Sequence, residues 1–437
     1  MTARRLIIDG KWPRARPLTT TEFLWRSASR ETSFRTTLDP QLAAIGDVGD
    51  ANTDLVALAV LVFLADRTVR RPSKGWARDI DLHLPVFDVD RWERVSEELA
   101  KTLEILSADG WMLTFRRRAA RKPQRLSERP EVDRVLLFSG GADSLCGAVR
   151  SLAAGERLLL ISHWDWAGHS AYQTRLARWL ARRFPDQVHL RQHQLQRRSN
   201  QLGGGTFGDE PTRRSRSLLF ISLGLAHASI EPRVPLWVAE NGYAALNPPL
   251  AGERRGALST RTTHPVVLNN IQRVTASLGG YGELANPFEK MTKGQMYTEV
   301  AGLLGAGPAS KLLSMSHSCA HVRWATGTGL SPDTQCGVCF GCLVRRSAFL
   351  AAGLEDQTTY LHTAINPGSQ PARLRSAARR EILTVRYAGG RGVSAADLLS
   401  AGLPDHVLVG DALDVANRGL KELAAVVDIL PDLARVT

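Results

Sequence analysis

The chain has 437 residues, 43% hydrophobic and 23% charged, with a formal net charge of +13 and an isoelectric point near 10. That length holds two or three domains and a large core, and the balance is ordinary for a soluble protein. The longest apolar run, Leu55 to Ala65, lies between Asp54 and Asp66 and is too short to span a bilayer, so no membrane partner is expected.

Met1 to Arg5 leads directly into a strand-like stretch from Leu6 to Trp12 with no secretory pattern, and the chain is read as cytoplasmic. Residues 1–125 are expected to form an α+β module. Leu55 to Val69, apolar nearly all round, reads as a buried helix; Ile80, Leu82, Leu84 and Val86 alternate as a strand; Trp92 to Leu106 has helical spacing; Trp111, Leu113 and Phe115 alternate again. The run Arg116, Arg117, Arg118, Arg121, Lys122, Arg125, Arg129 reads as a basic linker, and a nucleic-acid partner would be met there; scattered arginine on solvated faces accounts equally for the overall charge.

From Arg134 strands and helices alternate, which predicts a parallel sheet with ligands at the carboxyl ends of its strands. The first strand ends at Phe138 and is followed by Ser139, Gly140, Gly141, Ala142, Asp143 and Ser144, then by a helix. Two adjacent glycines let successive N–H groups face one concavity, and the positive end of the helix adds to them, so the loop is expected to cradle a phosphate. It resembles the SGGxDS signature of PP-loop ATP pyrophosphatases. His163 ends the next strand, where an adenine or ribose would be held, and it reads equally as a structural residue of the strand end. Gln201 to Asp209, rich in glycine, reads either as a lid or as a flexible loop, and Arg213, Arg214 and Arg216 open the helix Leu218 to Ala228 against its dipole, which suggests a phosphate or carboxylate contact. After the strand Leu236 to Ala239 come Glu240, Asn241 and Gly242, then a polar loop with Arg254, Arg255, Ser259, Thr260, Arg261 and His264. Lys293, at the start of a helix, is a compact cation suited to a phosphate or carboxylate.

Of five cysteines, Cys336, Cys339 and Cys342 stand in C-x2-C-x2-C spacing with Cys319 upstream. Four thiolates with no open position describe a structural zinc site; an iron–sulfur cluster takes the same residues. Cys146 is expected in the core. Residues 363–437 begin with a linker from Asn366 to Arg380 and continue as helices at Ala395 to Ala401 and Asp411 to Leu430.

Taken with Pro287, Thr292, Arg345, Arg346, Phe349, Asp356, Thr358 and Tyr360, the glycine loop and the cysteine block (319–342) make residues 132–362 resemble the 7-cyano-7-deazaguanine synthase (QueC-like) family. That resemblance implies a Rossmann-like PP-loop α/β domain carrying a zinc loop. It implies ATP and Mg2+ held by Ser139, Gly140, Gly141, Ala142, Asp143 and Ser144, catalytic roles for Ser139, Asp143, Ser144, Arg216 and Lys293, and Zn2+ on Cys319, Cys336, Cys339 and Cys342. The implied chemistry is adenylation of the carboxylate of 7-carboxy-7-deazaguanine, followed by amide and then nitrile formation. Here the family's Arg-Asn pair is Arg216, Ser217, and its substrate loop is replaced by Ser259 to Pro265. The regions before 126 and after 362 resemble the enlargements found in relatives from anti-phage operons, which implies a changed acceptor such as a protein amine. Free nitrile synthesis, a non-catalytic nucleotide-binding scaffold and tRNA modification are the competing readings.

Overall fold

In the computed structural model the described residues are 2–8, 22–25, 32–38, 42, 46–73, 76–119, 130–165, 167–201, 204–212, 214–230, 232–250, 261–321, 324–365, 369–430 and 433. Asp9 to Trp12, the part of the basic run from Arg121 to Arg129, Gly203, Arg213, Arg254, Arg255, Ser259, Thr260 and Asn366 lie outside them. Among the described residues no helix is long and apolar enough to cross a membrane.

The N-terminal region contains β1 (Thr2–Ile8), β2 (Glu22–Trp25), β3 (Phe34–Thr36), α1 (Asp50–Thr68), β4 (Asp79–Val86), α2 (Val89–Ser107) and β5 (Gly110–Arg117). Its four-stranded sheet runs β2-β1-β4-β5 with every neighbouring pair parallel, so the expected α+β arrangement is corrected to α/β. The alternating burial of β4 reports only that one face is more covered than the other. Strand direction is set by the connections, and a helix placed between β4 and β5 carries the chain back to start a parallel strand.

α1 is apolar all round because it packs both on β1 and β4 and on a helix of the central unit, α5 (Arg216–Ala228). Its one buried acid near the C-terminus, Asp66, accepts from Arg78 Nη2 at 2.6 Å and from the Ser215 hydroxyl at 2.7 Å, which ties the N-terminal region to the turn before α5. β3 leaves its own region and pairs antiparallel with a central strand, β8 (Val188–Arg197).

The central unit adds β6 (Arg134–Leu137), α3 (Ala142–Ala153), β7 (Leu158–Trp164), α4 (Ala167–Arg183), β9 (Leu236–Trp237), α6 (Gly242–Leu246), α7 (Pro265–Ser277) and β10 (Leu284–Ala285). Its six-stranded sheet is ordered β10-β9-β6-β7-β8-β3, parallel apart from β3. The chain steps from β6 to β7 and β8 on one side and returns to β9 on the other, so the strand order reverses between β6 and β9. A crevice opens at the carboxyl ends of strands at such a reversal.

The remaining helices are α8 (Lys293–Leu304), α9 (Ala306–Ser314), α10 (Phe340–Ala351), α11 (Leu361–Ala364), α12 (Ala372–Arg391), α13 (Ala395–Leu399) and α14 (Val409–Ile429). The stretch expected as a linker up to Arg380 is corrected: most of it is the first half of α12, because Leu374, Ala377, Ala378, Ile382 and Val385 recur at helical spacing and are buried. Leu374, Ala378, Ile382 and Val385 share one core with the four clustered cysteines and with the inner face of α14.

Candidate functional site

Ser139 to Ser144 occupy the turn from β6 into α3. Gly140 has φ of +84°, a left-handed conformation open to glycine at little cost, and its carbonyl accepts from the His317 backbone N–H at 3.0 Å. Ser139 Oγ accepts from Gly141 N at 3.2 Å and lies 3.3 Å from Ser144 Oγ, which donates to the Gly141 carbonyl at 3.0 Å. The N-cap of α3 is Gly141, and no side chain among the described residues caps the helix. The first N–H groups of that helix therefore keep their donors for an anion, in the field of the helix dipole.

A cavity of about 230 Å3 lies over this turn. It is lined by Ser139, Gly141, Ala142, Asp143 and Ser144, by Ala239 and Glu240 after β9, and by Lys293 from the start of α8. His317, Ser318, Phe340, Gly341 and Val344 complete the lining together with Ala244.

Lys293 Nζ donates to Asp143 Oδ2 at 2.9 Å, and both side chains are largely buried. Thr292 fixes the lysine by capping α8: its hydroxyl accepts from Gln295 N, and the Gln295 side chain accepts from Thr292 N. The Asn241 amide donates to both Glu240 Oε1, at 3.1 Å, and Asp143 Oδ2, at 3.4 Å. Burial, with the Asp143 charge beside it, pushes the Glu240 carboxyl well above the usual carboxylate range. Asp143 Oδ1 is buried without a hydrogen-bond partner. Two adjoining carboxyls and an unsatisfied oxygen suit a hard divalent cation.

His317 stacks on Tyr172 with ring centroids 5.0 Å apart, and burial lowers its pKa to about 4, so its imidazole is neutral. Arg345, fully buried, donates to Leu313 O and Thr358 Oγ1 at 2.8 Å, to Ser316 Oγ at 2.6 Å and to Tyr360 OH at 3.2 Å. It holds the loop that carries His317 and Ser318 against α10.

Cys319, Cys336, Cys339 and Cys342 are all buried, with sulfurs within 4.8 Å of one another. Two of the separations are 3.9 Å, for Cys336–Cys342, and 4.0 Å, for Cys339–Cys319. A tetrahedral ion with metal–sulfur bonds of about 2.3 Å requires edges of roughly 3.8 Å. The set could therefore bind zinc, whereas a polynuclear cluster lying between the sulfurs would spread them further. Gly337 has φ of +84°, and a Cβ at Gly341 would lie 2.4 Å from the Ser318 carbonyl, so both glycines let the chain close tightly around the sulfurs.

Ser139, Gly140, Gly141, Ala142, Asp143, Ser144 and Lys293 thus meet at one place, bordered by the cysteine lobe. His163 and Arg216 are elsewhere: His163 is fully buried between Phe63 and Phe220, and Arg216 donates to its Nδ1 at 3.3 Å and to its carbonyl at 3.1 Å. Neither lines the cavity. His264 caps α7, accepting from Val266 N. Cys146 lies in the core, where burial raises its thiol. Glu240 and Asn241 stood out in sequence only as a strand-end turn, and His317 and Ser318 had no signal beyond adjoining Cys319.

No family model matches the chain. It is similar to a 7-cyano-7-deazaguanine synthase. The relative, from Novosphingobium aromaticivorans, is 26% identical over 244 residues, a match that covers 93% of that protein and 52% of this chain. A distant likeness to a synthase suggests an enzyme.

Proposed function

We propose that this chain is an ATP-dependent enzyme of PP-loop type that adenylates the carboxylate of a 7-deazaguanine-like heterocycle and passes the acyl group to nitrogen. The observation that carries this reading is the Lys293–Asp143 pair standing over an uncapped helix start and a glycine turn at the strand-order reversal. The relative's name supplies the substrate class.

In this reading the free N–H groups of α3, with the Ser139 and Ser144 hydroxyls, bind the β- and γ-phosphates. A substrate carboxylate oxygen attacks the α-phosphorus, the bond to the β-phosphate breaks, and pyrophosphate leaves into the cradle. Lys293 offsets the charge that builds on the phosphates. A nitrogen nucleophile then attacks the acyl carbon, AMP departs with the former carboxylate oxygen, and the nitrogen gives up a proton. Asp143 and Glu240 would hold Mg2+, which supplies further charge neutralisation on the phosphates. The four cysteines would hold Zn2+ as a closed structural site, keeping His317, Ser318 and Phe340 at the cavity wall. His163 and Arg216 act at one remove, bracing the carboxyl end of β7.

The test is ATP–pyrophosphate exchange dependent on 7-carboxy-7-deazaguanine. Exchange that appears only with that acid supports the reading, and ATP binding without exchange refutes it. Mass spectrometry of the product then assigns the acceptor: a free amide or nitrile means ammonia, and an added deazaguanine mass on a co-expressed protein means a protein amine.

A further inference from the structure

We propose that the C-terminal helix α14 is part of the site's frame, with Glu422 as a positioning residue that sets Lys293 against Asp143; the nucleotide role of that pair rests on the function proposed above. Lys293 occupies the first position of α8, where its charge opposes the helix dipole and where the N–H groups of the first turn need acceptors. Thr292 serves Gln295 N. Gly294 N donates instead to Glu422 Oε2 at 3.1 Å, and Glu422 Oε1 accepts from the Thr292 hydroxyl. The carboxylate thus fixes the residues on both sides of Lys293 and places a negative charge at a helix start that carries a cation. The approach is close: a Cβ at position 294 would lie 2.8 Å from Glu422 Oε1 and 2.7 Å from the Ala351 Cβ. Glycine is the residue that fits there.

Two further residues of α14 grip the same segment. Arg418 donates to Gln295 Oε1 at 2.5 Å and to the Lys290 carbonyl at 3.0 Å, and Lys290 pairs with Asp411 at 2.9 Å. Positions 411, 418 and 422 share one helix face by their spacing. The same helix also reaches the turn after β9 and the start of α6. Gly419 lies against Tyr243, where a Cβ would come within 2.5 Å, and Val415 lies against Gly242, directly after the Asn241 that bridges Asp143 and Glu240. Glu422 itself does not line the cavity. Its influence passes through Thr292 and Gly294 to Lys293, which makes it a positioning residue and makes the site dependent on the C-terminal region.

The experiment uses the full chain and its Glu422→Ala, Glu422→Gln and Arg418→Met variants. Amine labelling with trace acetic anhydride, read by mass spectrometry, reports how tightly Lys293 is held, with Lys101 and Lys311 as internal references. Glu422→Ala is expected to speed labelling of Lys293 about tenfold, the equivalent of one lost hydrogen bond to a charged group. Lys101 and Lys311 should be unchanged. Glu422→Gln, which keeps an acceptor for Gly294 N, should restore slow labelling to within about threefold, and Arg418→Met should show a smaller rise of the same sign, as expected for a partly exposed contact. Unchanged Lys293 labelling in Glu422→Ala, or in Arg418→Met should the first variant not fold, overturns the proposal. A uniform rise at all three lysines also overturns it, since that is loosening of the whole fold. Pyrophosphate exchange is measured on the same samples. Its absence from every protein, wild type included, refutes the adenylation reading and leaves the labelling result to decide the role of Glu422.

Discussion

Replacing Lys293 with methionine removes the cation that faces Asp143 while keeping the bulk of the side chain. The Nζ–Oδ2 distance is 2.9 Å and the two side chains are 8% and 13% exposed. At an effective dielectric constant near 20 the attraction is about 6 kcal/mol before desolvation is counted, and breaking such a pair from one side costs about 3 kcal/mol. Asp143→Asn leaves the lysine without its carboxylate and should cost a similar amount. The double variant leaves no unpaired charge between the two positions, so it should be less destabilised than the sum of the singles by about 2 kcal/mol. Urea unfolding of the four proteins measures this coupling. Lys293→Met also removes the cation that favours the charged form of Glu240, whose carboxyl burial already holds well above the usual range, so the native state takes up a proton there more readily than the unfolded chain. Its deficit should therefore shrink as the pH is lowered toward the carboxylate range. Additivity within about 0.5 kcal/mol, or a deficit that grows on acidification, would refute the geometry from which the site is built.

Metal analysis should return one zinc per chain, and chelation should raise hydrogen exchange across 317–342, because a structural ion contributes on the order of 10 kcal/mol to ordering its loop; unchanged protection there would contradict a metal role for the cysteines. Arg345→Lys should lower stability by about 3 kcal/mol in urea, since an ammonium cannot reach the four acceptors at Leu313, Ser316, Thr358 and Tyr360 together. Gly341→Ala should weaken metal retention, read by competition with a chromogenic chelator, because its Cβ would lie 2.4 Å from the Ser318 carbonyl. His163 and His193 are buried neutral with pKa values lowered to about 3, mainly by desolvation. The unfolded chain protonates them near pH 6.5 and the native chain does not, so the stability they supply is complete above about pH 6.5 and is lost as the pH falls toward 3, at up to about 1.4 kcal/mol per unit for each. Urea midpoints that stay level between pH 7 and about pH 5 would argue against their burial.

The glycine turn, Lys293 and the cysteine block were legible because each depends on local chemistry: a strand followed by adjacent glycines, a cation at a capped helix start, thiols at ligand spacing. Helix α1 was legible for a related reason, since only a helix covered on two sides can be apolar all round. Direction in the N-terminal sheet was missed because the alternation of Ile80, Leu82, Leu84 and Val86 is the same in parallel and antiparallel sheets. α12 was missed because arginines mask the spacing of Leu374, Ala378, Ile382 and Val385. His163 was placed at a ligand position by its strand end, but Phe63 of α1 covers it, a contact made across a hundred residues of chain. Glu240 and Glu422 meet their partners only through tertiary contacts, with Asp143 in one case and Gly294 in the other.

The most direct test of the central claim follows one atom. Supplied with ATP, ammonia and 7-carboxy-7-deazaguanine whose carboxylate carries isotopically heavy oxygen, the protein should release unlabelled pyrophosphate and AMP containing one heavy oxygen, because the bond formed joins a carboxylate oxygen to the α-phosphorus and ammonia then displaces AMP from the acyl carbon. Unlabelled AMP, or ADP with a labelled inorganic phosphate, would contradict adenylation and with it the functional reading of the Ser139–Ser144 loop.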